Sequence, residues 1–127
     1  MTLGLPRNFR VLNDAKYGKL AKIDVASEIQ TSTPWLNQLL TKVDQTAVRL
    51  ALIKGKFPWH QHTHHDEFFL VLQGEIMLEI EGYVAMRLLP HQGCTVPKGM
   101  KHRTRSRVTS ALLVVESADV KVTGDVA

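Results

Sequence analysis

Short apolar segments joined by glycine and proline turns are the feature of this sequence that most constrains its fold. Such segments cover residues 46–53, 67–80, 83–89 and 107–117. Successive side chains of an extended strand point to opposite faces, so the alternation within these segments predicts half-buried strands. No long amphipathic helical pattern accompanies them. The sequence therefore predicts an all-β fold, a small sandwich or barrel, and ligand sites gather at the mouth of such a closed sheet.

The alternation also predicts which side chains form the core. Residues 67–73, "EFFLVLQ", are expected to form a strand buried on both faces, followed by a bend at Gly74. A tight turn is expected at 81–82, and another at 90–93. The apolar side chains expected to point inward on the strands beside the first turn are Ile76, Leu78, Ile80, Val84, Met86 and Leu88.

The first third of the chain is the least patterned. "DVASEIQ" predicts a short helical turn, while "PWLNQLLTKV" fits a strand or a helix equally well. We divide the chain into an N-terminal extension of short strands or helix at 1–45, a β-barrel at 46–118 and a C-terminal tail at 119–127. Because sheet edges need cover, we expect the extension to pack on the barrel or on a partner subunit, and the protein to form a homodimer.

Composition bears on the cellular location of the protein and on the classes of partner it is expected to bind. Cys94 is the single cysteine, and the N-terminus has no basic region followed by an apolar block, so we expect a cytoplasmic location. No apolar run is long enough to predict a membrane span. Much of the net charge of +4 comes from residues 98–107, "KGMKHRTRSR". No nucleic-acid-binding signature accompanies this segment, so we expect neither nucleic acid nor membrane as a partner.

Residues 59–67, "WHQHTHHDE", hold four of the six histidines and suggest a metal site. His60 and His62 project from one face of an extended strand, and neutral imidazoles so placed can bind one cation. His62 and His64 form a rival pair, which would leave His60 structural. Glu67 has the opposite parity and joins that face only if a turn or bulge resets the register. A further ligand should come from a neighbouring strand, where His102 is the best candidate.

The spacing of these residues resembles the motifs of a known family. The segment Gly55–Gly74 resembles the first motif of the cupin superfamily: a Gly, His-x-His, four residues, Glu, six residues, Gly. The segment "VPKGMKHR" resembles the second motif, Pro-x-Gly-x-x-His. The chain is similar to small single-domain cupins that are often labelled loosely as mannose-6-phosphate isomerase-like. The resemblance implies a double-stranded β-helix, or jelly roll, and it implies the metal ligands His60, His62, Glu67 and His102.

The sequence departs from the family pattern at two places. The second motif usually opens with a Gly six residues before its Pro, and His91 stands there instead. An Asn sometimes found four residues after the last histidine is replaced by Ser106. Neither departure removes a ligand, but the first changes a turn at one edge of the pocket. His64 and His65 fall in the variable insert of the first motif.

The predicted function is that of a metal-binding cupin of unassigned activity. Mixed imidazole and carboxylate ligands suit Fe, Mn, Ni, Zn or Cu, and the resemblance implies a dioxygenase or isomerase acting on a small oxygen-rich metabolite. The alternative is a non-catalytic binding or sensing module with a structural or ligand-anchoring metal. No catalytic residue is assigned, since Glu67 is expected to be a ligand. Phosphate anchors would have to come from Lys98, Lys101 and Arg103, if these face the mouth.

Overall fold

The computed structural model describes residues 4–125, which form eight strands and one short helix. The strands are β1 (Arg10–Leu12), β2 (Leu36–Val43), β3 (Thr46–Lys56), β4 (Glu67–Gln73), β5 (Ile76–Ile80), β6 (Met86–Leu88), β7 (Gly93–Val96) and β8 (His102–Ser117). The helix α1 spans Val25–Gln30, and Asp24 caps it by accepting a hydrogen bond from the backbone N–H of Ser27. The predicted all-β barrel is confirmed, and "PWLNQLLTKV" is a strand.

Strand β8 connects the two halves of the barrel. Its later residues lie between β3 and β4, whereas its first residues pair with β5 and, after a register shift, with the end of β3. The order of strands across the main path is β1-β2-β3-β8-β4-β7. A single 16-residue strand therefore takes part in both halves, with His102 at its start and Glu116 near its end.

The barrel interior is filled by side chains that alternate along the strands as the sequence predicts. The fully buried Ile76 and Leu78 pack there, with Ile80 partly buried against them. On β3, Ala51 and Ile53 face this interior. The opposite face of β3 packs in a second cluster with residues of the first third of the chain, including Tyr17, Ile23, Val25 and Ile29. Residues 4–45 thus cover one outer face of the barrel, while the proposed domain boundaries themselves stay a prediction.

The predicted inward direction is wrong for Val84, while Met86 shares the face of the buried Leu78 without being buried itself. Val84 is 94% exposed and Met86 is 40% exposed, so of the three predicted positions only Leu88 is buried. For Val84, the reason is that the turn after β5 extends further than its Glu81–Gly82 pair. Tyr83 donates its backbone N–H to the carbonyl of Ile80, and β6 does not begin until Met86.

The turn at His91 explains the first departure from the family motif. His91 has a φ of 72°, in the left-handed region where glycine is normally found. The backbone N–H of His91 donates to the carbonyl of Val71. The backbone N–H of Val71 in turn donates to the carbonyl of Gln92. These bonds hold the turn against β4, so it keeps a glycine-like backbone although its residue is histidine.

Within the described residues, no helix is long and apolar enough to cross a bilayer.

Candidate metal centre

Backbone hydrogen bonds bring the two histidine-bearing segments together. His60 and His102 exchange backbone hydrogen bonds of 3.0 and 2.8 Å, which form an antiparallel bridge. The N–H of Gly99 donates to the carbonyl of His62 at 2.8 Å. Segments separated by about 40 positions along the chain are therefore tied at the backbone, and their imidazoles face the same space.

The C-terminal tail supports the same segment from its other side. Asp125 donates its backbone N–H to the carbonyl of Gln61, and its carboxylate accepts from the N–H of Thr63. Gly124 lies so close to His60 that a Cβ added there would be 2.7 Å from the Cβ of His60. The tail thus fixes the position of the His60 backbone.

Glu67 joins the histidines because residues 61–66 form a loop that resets the register before β4 begins. Its side chain then shares the inward face of β4 with Phe69 and Val71, both of which are buried. From the sequence, Glu67 was expected to reach the face of the histidines only through such a change of register. The rival pair of His62 and His64 is not formed, since His64 is exposed.

The structure brings the four predicted side chains together. Their candidate ligand atoms all lie within 4.8 Å of one another. One oxygen of Glu67, Oε1, lies 3.0 Å from Nε2 of His102 and 3.2 Å from Nε2 of His62. His62, Glu67 and His102 are buried, while His60 is half-buried at the edge of the group.

Carbonyl groups determine which nitrogen of two imidazoles carries the proton. Nδ1 of His60 lies 3.0 Å from the carbonyl oxygen of Pro58, and Nδ1 of His102 lies 2.9 Å from that of Met100. A carbonyl only accepts hydrogen bonds, so each Nδ1 is assigned as the donor. In the neutral imidazole, the lone pair of Nε2 is then directed at the centre of the group, as it is in histidines that bind metals.

This arrangement fits a divalent cation. Among residues 4–125, both ring nitrogens of the buried His62 lack a hydrogen-bond partner, although Nε2 lies near Glu67. Lone pairs of neutral imidazoles that converge on a carboxylate oxygen are unfavourable unless a proton or a cation lies between them. Three imidazoles and one carboxylate are a common donor set for transition metals, and they leave further coordination positions open on a five- or six-coordinate ion.

The electrostatics of the group keep its ligands in the form that binds metal. Burial would raise the pKa of Glu67, but the adjacent imidazoles of His102 and His62 outweigh burial and hold this pKa well below its usual range. Burial, together with the neighbouring His102, lowers the pKa of His60 to about 4. The carboxylate is therefore ionised and His60 is neutral at pH 7, as metal ligation requires.

The lowered pKa of His60 predicts a specific pH dependence in the metal-free protein. An imidazole takes up its proton near pH 6.5 when the chain is unfolded but near 4 when it is folded. The unfolded state thus binds more protons between these values, and folding becomes less favourable as the pH falls through that window. Between pH 7 and 5, the free energy of unfolding should drop by about 1–2 kcal/mol more in the parent than in His60→Leu. Equal losses in urea titrations of the two proteins would contradict the assignment.

A small cavity opens beside the group. Its volume is about 50 Å³, and its walls include His60, Glu67, Asn37 and Thr104 among mostly apolar side chains. Thr104, which shares the parity of His102 along the chain, lies on the cavity wall. Ser106 shares that parity but lines a different cleft and bonds Ser110.

The predicted phosphate anchors do not face this cavity. Lys98 and Lys101 are exposed, and Arg103 lies over the ring of Trp59, 4.8 Å from its centroid, while pairing with Glu79. The outward direction of Arg103 follows from its alternation with the inward His102. Arg105 also points outward and pairs with Glu79.

Two groups of residues near the site were missed from the sequence. Phe9 and Trp35, from the first third of the chain, line the cavity, and no pattern places them there. Glu116 and Arg49 are buried on the inner face, where Glu116 lies directly across from Glu67 on the neighbouring strand. The signal for Glu116 was available, because it shares the parity of the buried Leu112 and Val114.

Glu116 is buried next to a second carboxylate, and burial and then the charge of Glu67 raise its pKa. The nearest opposite charge is on Arg49, whose Nε lies 3.6 Å from Oε1 of Glu116. The guanidinium also donates to Asn37 and Asn13, at 3.2 and 2.9 Å. Arg49 thus connects the acidic group at the site to the N-terminal segment.

Comparison with known proteins agrees with the geometry. The family model described as a cupin domain matches residues 50–117, which are more than half of the chain. The chain belongs to the cupin family. Among curated proteins, this cupin is 38% identical to the uncharacterised YdbB of Bacillus subtilis strain 168 over 80 residues, which are 63% of the chain and 71% of YdbB.

Solved structures show the same fold. A cupin-2 domain protein from Shewanella frigidimarina superposes with a TM-score of 0.70 at 20% identity, covering 75% of this cupin and 93% of that chain. BH2720 from Bacillus halodurans gives a TM-score of 0.72 at 16% identity, with coverage of 87% and 90%. The DMSP lyase DddQ from Ruegeria pomeroyi gives 0.55 at 29% identity, covering 63% of this cupin and 42% of the lyase.

Proposed function

We propose that this cupin binds a small oxygen-rich metabolite at a divalent transition metal held by three imidazoles and one carboxylate. The proposed ligands are His60, His62, Glu67 and His102. The observation that carries the proposal is the convergence of two imidazole nitrogens on one oxygen of Glu67, while both ring nitrogens of the buried His62 lack a hydrogen-bond partner among residues 4–125. The donor set suits Fe, Mn, Ni, Zn or Cu.

When bound, the metal would supply a positive charge that polarises an oxygen of the ligand. The residues of the chain do the remaining work. The carbonyls of Pro58 and Met100 orient His60 and His102 by accepting from their Nδ1 atoms. Such partners of metal-binding histidines fix the ring and raise its basicity. Asn37 and Thr104 are the polar wall groups that could orient the ligand.

The proposed function has two alternative forms, an enzyme and a non-catalytic sensing module. Metal positions left open by four protein ligands favour a dioxygenase or an isomerase. The cavity wall favours the non-catalytic alternative, because within residues 4–125 its only titratable side chains are His60 and Glu67. Oxygen-consumption and sugar-isomerisation assays of the metal-loaded protein separate the two, since turnover in either assay would exclude a purely sensing role.

Loss of His102 should abolish metal binding. The parent, purified without a nickel column and supplied with metal, should hold about one ion per chain, and His102→Ala should hold less than about a tenth of that. His91→Ala is the matched control, because His91 lies in an exposed turn outside the group. Elemental analysis measures all three proteins. Equal metal content in His102→Ala and the parent would refute the site.

We also propose that the protein is a homodimer. Strands β1, β6 and β7 lie at edges of the sheet, and uncovered edges favour association. Large apolar side chains are exposed near two of these regions, including Leu12 and Val84. Light scattering coupled to size exclusion should give twice the mass of the chain, and a monomer mass would rule out the dimer.

A further inference from the structure

The cavity beside the proposed metal ligands has an aromatic wall that begins outside the barrel. The ring of Phe9 lies 6.3 Å from that of Trp35 and 5.5 Å from that of Phe57, both measured between centroids. Phe57 in turn contacts the imidazole of His60, at 5.2 Å and edge to face. A molecule bound at the metal would therefore have its body against a continuous set of rings.

The remaining walls are aliphatic apart from Phe69 and a few polar side chains. Ile53 and Leu112 project from the barrel interior, and Val122 comes from the C-terminal tail. Apart from His60 and Glu67, the polar groups of the lining within residues 4–125 are the side chains of Asn37 and Thr104 and the indole N–H of Trp35. Asn37 already accepts a hydrogen bond from Arg49 through its Oδ1. Few groups are thus available to hydrogen-bond oxygen atoms away from the metal.

The cavity also lacks a cation for an anionic body. No lysine or arginine of the described residues is part of its lining. Arg49 is the nearest buried cation, but it is not part of the lining; its terminal nitrogens donate to Asn37 and Asn13, and its Nε lies 3.6 Å from Oε1 of Glu116. A phosphate placed in this cavity away from the metal would lose its hydration without gaining a counter-charge from the wall.

The volume limits the size of the ligand. At about 50 Å³, the cavity holds roughly four water molecules, because one water needs about 10–15 Å³. Sites for drug-sized ligands are several times larger. The body therefore has the size of a single ring or a short branched chain.

We propose that the ligand carries its metal-binding oxygens at one end and a small, flat apolar body at the other, and that it carries no phosphate. This inference rests on the proposed function and specifies the ligand of the same site. The oxygen atoms of the metabolite bind at the metal, and its body packs between Phe9, Trp35 and Phe57.

Two hydroxamates test this inference directly. Acetohydroxamate and benzohydroxamate present the same pair of metal-binding oxygens, but the second adds a phenyl ring. In calorimetric titrations of the Zn(II)-loaded protein, benzohydroxamate should bind at least about tenfold more tightly, because its ring leaves water for the aromatic wall. Mannose 6-phosphate should show no saturable binding at millimolar concentration.

A matched pair of variants locates the effect. Phe9→Ala should reduce the preference for benzohydroxamate to about threefold or less, since it removes one ring from the wall. Phe68→Ala removes the same atoms from a half-buried position on the opposite face of β4, and it should keep the tenfold preference. An equal loss in both variants would overturn the role of the wall.

The outcomes separate the two proposals. Equal affinity of the parent for both hydroxamates, or tight binding of mannose 6-phosphate, would overturn the apolar ligand and leave the metal-dependent function intact. Failure of both hydroxamates to bind the Zn(II)-loaded protein would refute the ligand-binding function, and the inference with it.

Discussion

Addition of Zn(II) to the metal-free protein should raise its melting temperature by roughly 12–24 °C. A ligand that binds only the folded state at about 1,000 times its dissociation constant adds about 4 kcal/mol of stability. For a domain of this length, each kcal/mol shifts the melting temperature by about 3–6 °C. The effect is expected to be large because the site is assembled by folding, from residues as distant as His60 and His102.

The physical source of this gain is the group of buried polar atoms. The metal-free protein holds the ring nitrogens of His62 without a hydrogen-bond partner among the described residues, and it holds lone pairs directed at the charged Glu67. Binding of a cation replaces these unfavourable contacts with four metal–ligand bonds. The unfolded chain offers no such arrangement, so the binding energy is added to the folding free energy.

Glu67→Gln is the variant that isolates the charge. An amide has nearly the shape of the carboxylate but lacks its negative charge, so Zn(II) should raise the melting temperature of this variant by less than about a third of the parent shift. His91→Ala, at an exposed turn, should show the full shift. Differential scanning fluorimetry measures the shift in all three proteins. A shift in Glu67→Gln as large as in the parent would show that Zn(II) binds elsewhere.

Replacement of Gly74 by alanine should destabilise the protein by about 3–4 kcal/mol, the largest loss expected from a single added methyl group. Gly74 has a φ of 86°, which costs an L-residue about 1–2 kcal/mol. A Cβ there would also lie 2.2 Å from Oγ and 2.8 Å from Cα of Ser110. The backbone of β8 would have to move, and such overpacking costs about 1–3 kcal/mol.

Gly82→Ala separates conformational strain from crowding. Gly82 has the same φ of 86°, but nothing lies within 4 Å of a Cβ added at this turn. Its replacement should therefore cost only about 1 kcal/mol, the strain less the entropy that alanine removes from the unfolded chain. Urea unfolding of both variants measures the difference. Equal losses would show that Ser110 does not crowd this position.

The fold was largely predictable because alternation reports burial directly. Ala51, Ile53, Ile76 and Leu78 face the barrel interior as their parity predicts. The failure at Val84 has a physical reason, because the length of a turn depends on its own hydrogen bonds rather than on hydrophobic pattern. The helical turn at 25–30 was predictable from its local sequence, whereas β2 needed its pairing with β3 to be distinguished from a helix.

The candidate site was predictable where local spacing determines it and not where tertiary contacts do. The spacing of His60 and His62 predicts a shared face, but the arrival of Glu67 on that face depends on a loop whose conformation the alternation does not encode. Phe9 and Trp35 reach the cavity only because residues 4–45 fold back over the barrel. Glu116 could have been found, since its parity with Leu112 and Val114 placed an acid inside the barrel.

The most direct test of the account is the anomalous diffraction of a crystal of the protein grown with a divalent transition metal. We expect one strong peak within about 2.0–2.2 Å of Nε2 of His60, Nε2 of His102, one ring nitrogen of His62 and a carboxylate oxygen of Glu67. A peak that lies elsewhere, or a bound metal that His102 does not contact, would contradict the central claim.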